Sequence, residues 1–143
     1  MKMWFNPIMI FLLRSPLHGL LSRSMMLITY TGRKSGKPIT LPTNYVREGN
    51  AVFVVSRRER TWWRNLRGGA RVTIRLQGRD YSGEGKAIED ANAVAEDLRA
   101  YFCRVPQWAK YSGLTLDANG EPTTESLTRA AQVLVMVEIG LTR

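Results

Sequence analysis

The segment "TYTGRKSGKP", residues 29–38, places Arg33, Lys34 and Lys37 around Gly32 and Gly36. A turn of this kind presents backbone N–H groups and cationic side chains to phosphate oxygens, as an anion-binding nest does. It is not a Walker loop. Three residues separate its glycines where that motif has four, Pro38 stands where its Ser or Thr would be, and a strand follows where a helix should begin. A second cationic run lies downstream. Arg57, Arg58, Arg60, Arg64, Arg67, Arg71, Arg75 and Arg79 fall within 23 residues that hold a single acid, Glu59. The planar guanidinium donates two hydrogen bonds at once and so suits phosphate and carboxylate. Trp62 and Trp63, set within this run, offer flat apolar surface for a ring, with core packing the expectation for one of the two.

Acid–base chemistry is harder to place. No G-x-S-x-G elbow occurs, and the single histidine, His18, sits far in sequence from the basic core. Glu89, Asp90, Glu96 and Asp97 read as a solvated helix face, not as a catalytic pair. Lone Cys103 cannot form an internal disulfide, reads as a small buried hydrophobe, and with His18 makes no zinc-ligand set. A reducing, cytoplasmic setting without a protein-bound metal is expected. Hydride transfer from a bound cofactor fits such an inventory, because the protein need only hold and orient two planar molecules.

A chain of 143 residues is the size of one domain, and 44% apolar with 23% charged residues is an ordinary globular composition. The net charge of +9 either serves solubility alone or points to an anionic partner: nucleic acid, a membrane surface, or a small ligand bearing phosphates and carboxylates. Residues 1–24 read as two short helices, with Asn6-Pro7 and Ser15-Pro16 as starts, that either pack on the domain or rest on a membrane. The apolar run Ile8–Leu13 is too short to span a bilayer. Residues 25–143 form the remaining unit.

Within that unit, "MMLITYT" (25–31), Ile39 to Arg47 and Ala51 to Ser56 read as strands, the last two joined by a turn at Glu48-Gly49-Asn50. A short helix around Thr61 to Arg67, with Thr61 as cap, precedes a hairpin turning near Gln77-Gly78. Val94, Leu98, Tyr101 and Phe102 recur at helical spacing, marking the main helix between Asp90 and Val105. A polar stretch, Ser112 to Ser126, leads to a final buried strand in "AAQVLVMVEI". About six strands and one main helix indicate a small closed or half-closed barrel.

The order strand, "TGRKSGKP", strand, "VVSR", "WWRNL" resembles the deazaflavin (F420)-dependent nitroreductases, flavin and deazaflavin oxidoreductases that include F420H2-dependent quinone reductases. The resemblance runs from about Leu27 to Ile88 and more loosely to the C-terminus. It implies a mainly β (α+β) fold, a six- to seven-stranded antiparallel split β-barrel with N-terminal helices and one or two packing helices. It implies coenzyme F420, with FMN as the alternative, and a hydride passed to a quinone, nitro compound or other conjugated acceptor. Carried over by motif, Arg33, Lys34, Ser35, Gly36 and Lys37 match the loop, and Thr40 and Pro42 the strand beneath the ring system. Ser56 and Arg57 match the strand end, and Trp62, Trp63 and Asn65 the helix. Tyr101, Trp108 and Tyr111 are substrate-pocket residues by type and approximate place.

The sequence departs from the family pattern at Ile39, where a basic residue is usual, at Thr43 and Asn44, and in a shortened segment between Arg57 and Trp62. These departures keep a second reading open, a non-catalytic carrier of a flavin, haem-like or lipid ligand in the same barrel. Nucleic acid is not expected, because a smaller anion accounts for the arginines and no nucleic-acid motif appears. The resemblance allows a monomer or a homodimer.

Overall fold

The computed structural model describes residues 25–106, 108–109 and 113–142. The two helices expected in residues 1–24, their membrane contact, and Tyr111 lie outside the described residues. Seven strands run in the order β1 (Met25–Thr31), β2 (Pro38–Asn44), β3 (Val46–Glu48), β4 (Ala51–Arg57), β5 (Ala70–Leu76), β6 (Arg79–Ile88) and β7 (Leu134–Leu141). A 3₁₀ turn, Trp62–Leu66, follows β4, and helices α1 (Ala91–Arg104) and α2 (Thr124–Ala130) separate β6 from β7. All strand pairs are antiparallel, in the spatial order β2-β1-β5-β6-β7-β4-β3.

The stretch expected as one strand, Ile39 to Arg47, is two. It pairs with β1 as far as Asn44, then bends at the buried Tyr45 and pairs with β4 from Val46. One continuous segment thus serves both edges of the sheet and curls it into a barrel. The closure is incomplete. β4 pairs with β7 along its whole length but with β3 only at Ala51–Phe53, and β2 has a ladder on its β1 side alone. Between β2 and the second half of β4 the barrel is open, which makes it a split β-barrel.

Alternation decides what faces inward. Met26, Ile28 and Tyr30 of β1, Val52 and Val54 of β4, and Val72, Ile74 and Leu76 of β5 fill the interior with Trp62, Trp63 and Leu66. β7 is buried on both faces: Val135, Val137 and Ile139 enter the barrel, while Leu134 and Met136 pack beneath α1 and α2. This double burial explains its unbroken apolar run, which carries no alternation to read. The hairpin at Gln77-Gly78 is a two-residue turn with φ of 50° and 81°, the mirror-image geometry that matches strand twist.

Three local expectations need correction. Thr61 makes no side-chain cap for the 3₁₀ turn. The end of the polar stretch, extended through Ala130, is helical: Thr123 caps α2 by accepting from the Ser126 amide, a signal hidden because only Leu127 and small residues mark its buried face. Cys103 is exposed, since it points away from the face that Leu98, Tyr101 and Phe102 bury.

The acidic cluster does not form one solvated face. Asp90 is the N-cap of α1, accepting from the Ala93 amide at 3.0 Å. Asp97 is half-buried, and burial, reinforced by Glu138 and Glu96, pushes its carboxyl above the usual range. A raised folded-state value favours the protonated form, so this site stabilises the fold in acid and loses that contribution as pH rises through the shifted value. Asp97→Asn, which mimics the protonated form, is expected to raise the melting temperature at pH 7 and leave it nearly unchanged near pH 3. Paired thermal melts at the two pH values check this.

Candidate active site

The loop between β1 and β2 is folded by its own backbone. The Gly32 amide donates to the Lys37 carbonyl at 2.9 Å and the Gly36 amide to the Gly32 carbonyl at 2.7 Å, with Gly36 at φ 70°, open to glycine without strain. The Lys37 amide donates to Ser35 Oγ, and the Arg33 amide to Asn65 Oδ1 at 2.8 Å. Only the amides of Lys34 and Ser35 are left without a protein acceptor among the described residues. The nest is therefore narrower than glycine content alone suggests, and it is flanked by the exposed side chains of Lys34 and Lys37.

Arg33 is partly committed, since its guanidinium donates to the Arg67 carbonyl. With the Asn65 contact, this pins the loop to the 3₁₀ turn. The other side of that turn holds the end of β4. Trp62 Nε1 donates to Ser56 Oγ at 3.0 Å and Trp63 Nε1 to the Arg57 carbonyl at 3.2 Å, while Asn65 Nδ2 donates back to the Trp62 carbonyl. Both tryptophans are buried, so the expected flat surface is core. Trp63 stacks instead beneath Arg64 and Arg67, at 5.5 and 5.1 Å from its ring centre. Ser56, Trp62, Trp63 and Asn65 join the loop and the β4 end into one rigid rim.

The arginine run divides between the two ends of the barrel. Arg67 pairs with Glu89 at 2.9 Å, and Arg75 with Asp80 at 3.0 Å on the far hairpin. The hydrogen bonds from Arg67 hold the Glu89 carboxyl below its usual range, so it stays ionised as the partner of Arg67 and is a weaker base than a free carboxylate. Arg57 is exposed, with only the exposed Glu59 beside it, and Arg60 is exposed as well. An opening of about 450 Å³ at the opposite end is lined by Arg47, Asn50, Tyr81, Leu141 and Thr142. There Arg47 already lies 5.0 Å over the Tyr81 ring and donates to the Gly49 carbonyl.

A larger cleft, about 790 Å³, opens where β2 parts from β4. It is lined by Asn44 of β2, by Val55, Ser56 and Arg57 of β4 with the neighbouring Val133 and Leu134 at the start of β7, and by Tyr101, Phe102, Trp108 and Gly113. The structure thus brings Ser56 and Arg57 together with Tyr101 and Trp108, residues far apart in sequence. Thr40 and Pro42 do not line this cleft. They share with Asn44 the face of β2 opposite the buried Leu41, and Thr40 Oγ1 lies 2.8 Å from Thr29 Oγ1. Burial pushes the Tyr101 phenol well above its usual range, so at neutral pH it is a neutral hydroxyl that can donate. No carboxylate or histidine lines the cleft among the described residues. No group of described residues could hold a metal ion, and no described helix is long and apolar enough to cross a membrane.

A cationic rim beside a groove with no carboxylate or histidine among its described residues suits an anionic redox cofactor, and the family comparison supplies its identity. The sequence model of the F420H(2)-dependent quinone reductases matches residues 16–116. The chain belongs to that family. Family membership makes it an oxidoreductase that uses coenzyme F420. Among solved structures, a candidate pyridoxamine 5′-phosphate oxidase from Listeria innocua is 12% identical with a TM-score of 0.54, covering 92% of this chain and 94% of its own. A protein described as a domain-swapped dimer is 17% identical with a TM-score of 0.55, covering 92% of both chains. The FAD and haem binding protein of Mycobacterium smegmatis is 14% identical with a TM-score of 0.51, covering 90% of this chain and 67% of its own. At such identities the likeness establishes the split-barrel fold. No curated protein matches the chain.

Proposed function

We propose that this family member uses the split between β2 and β4 to hold F420 and passes its hydride to a quinone, nitro compound or similar conjugated acceptor in the adjoining cleft. The observation that carries the reading is the cleft itself: a cationic edge at Arg57, an apolar lining of Val133, Leu134, Phe102 and Trp108, and no acid–base pair among the described residues. The residues fit the cofactor. Unsatisfied amides at Lys34 and Ser35, with the side chains of Lys34, Lys37 and Arg57, offer donors to a phosphate and an acidic tail. Bound there, reduced F420 supplies the hydride.

The protein's own part is to hold and orient. Arg33 and Asn65 fix the loop, and Ser56, Trp62 and Trp63 fix the end of β4. The free edges of β2 along Thr40–Asn44 and of β4 along Val54–Arg57 offer backbone groups to the polar rim of a planar ring, with Pro42 limiting its slide. The Tyr101 hydroxyl, at the lining of the cleft, is the donor we assign to an acceptor oxygen as it gains charge. The apolar wall keeps water from the reacting atoms. Residues 25–143 carry all of these groups.

Anaerobic mixing of reduced F420 with the protein and menadione, or with a soluble nitroaromatic, tests the proposal through the returning absorption of the oxidised cofactor. Protein-dependent, saturable reoxidation is expected. Binding of F420 without turnover of either acceptor would favour the carrier reading.

A further inference from the structure

Arg58 stands beside Arg57 in the sequence yet does different work. Arg57, Glu59 and Arg60 are exposed, whereas Arg58 is half-buried and does not line the cleft. Its backbone amide donates to the Val133 carbonyl at 2.9 Å. Its guanidinium Nη2 donates to the Glu89 carbonyl at 2.6 Å and the Ala131 carbonyl at 3.0 Å, and Nε reaches the same Ala131 oxygen at 3.3 Å. Ala131 is the C-cap of α2, so its carbonyl is one the helix cannot pair. Glu89 joins β6 to the N-cap of α1.

One side chain therefore ties the end of β4 to the turn that precedes β7 and to the start of α1. That turn carries Val133, which is 56% exposed and lines the cleft next to Arg57, just beyond the Arg57–Leu134 pair that ends the β4–β7 ladder. An apolar residue so exposed is held there by its backbone, not by burial of its own side chain. A lysine could keep the charge of Arg58 but not reach two carbonyls in one plane.

We infer that Arg58 is a positioning residue for acceptor binding: it fixes the Val133 turn beside Arg57, on the same β4–β7 edge, and so holds the apolar lip of the cleft mouth in place. The inference rests on the proposed use of this cleft. It does not require Arg58 to touch cofactor or acceptor.

Arg58→Gln, Arg58→Lys, Val133→Ala and the double variant Arg58→Gln/Val133→Ala separate this role from a purely structural one. With menadione as acceptor, Arg58→Gln is expected to raise KM about tenfold with kcat within about twofold of wild type, as loss of a charge-assisted contact acting on binding alone predicts. Arg58→Lys should recover little, and the double variant should be no worse than Arg58→Gln, because both changes act on one wall. In the unliganded protein, hydrogen exchange should quicken in residues 131–134 of Arg58→Gln and not throughout the chain. Local exchange unchanged from wild type, or quickened everywhere with KM unaltered, would overturn the inference. If wild-type protein turns over no acceptor, the functional reading fails, while the exchange measurement still decides whether Arg58 holds the turn.

Discussion

Trp63→Ala will melt about 10–20 °C below the wild type, the consequence of losing about 3–5 kcal/mol when a buried aromatic is cut back to a methyl group. Trp63 is 2% exposed and packs in the barrel core with Trp62 and Leu66, so its loss leaves a cavity among side chains that are themselves buried. The substitution also frees the Arg57 carbonyl and removes the surface under Arg64 and Arg67. Trp63→Phe keeps most of the ring and should recover well over half of the loss, leaving the missing Nε1 hydrogen bond as the remainder. Thermal melts of the three proteins check the order. Equal melting of Trp63→Ala and wild type would mean that the 3₁₀ turn is not the plug of this barrel.

Arg57→Ala will weaken F420 binding about 10- to 100-fold, the effect of deleting one charge-assisted contact to a phosphate or carboxylate. The fold should hardly notice. Arg57 and Glu59 form a pair with both side chains largely in solvent, and such pairs contribute at most about 1 kcal/mol. An affinity loss at constant melting temperature is thus the signature of a binding residue, whereas Trp63→Ala should lose both together. Lys34→Ala should weaken binding further on top of Arg57→Ala, because the two cations sit on separate segments, the β1–β2 loop and the end of β4. Raising the salt concentration should weaken wild-type binding more than that of either variant. Isothermal titration across the series checks all three points.

Much of this was legible in the residues. Strands that bury one face declared themselves by alternation, as in "ARVTIRL" of β5. The glycine-rich loop was placed correctly between β1 and β2, and Gln77-Gly78 announced its hairpin. Features set by distant partners did not declare themselves. Asn65 reads as a polar residue in a short helix, and only the fold, by bringing it to an amide 32 residues away, shows that it anchors the loop. Arg57 and Arg58 are indistinguishable in "RRER", yet one faces solvent and the other bonds a carbonyl 73 residues on. Val133 gave no sign at all, because an exposed valine before a buried strand looks like the strand's first residue.

Tertiary context also reversed two readings drawn from residue type. Flat aromatic surface among arginines suggested a stacking platform, with one of the two tryptophans expected in the core. The pair is instead swallowed by the barrel, because an open-ended sheet of seven short strands needs large side chains to fill it. The carboxylates Glu89, Asp90 and Asp97 looked alike in sequence and separated into an ion pair, a helix cap and a half-buried acid.

The claim at the centre of this account is that the cofactor lies along the split between β2 and β4, with its anionic part at the Lys34–Ser35 amides. Backbone amide spectra of the 15N-labelled protein, recorded as F420 is added, test this directly. Saturable shifts are predicted for Lys34 and Ser35, along the free edge of β2 from Thr40 to Asn44, and along β4 from Val54 to Arg57, with the far end around Arg47 and Tyr81 unmoved. Shifts confined to that far end, or none at saturating F420, would contradict the account.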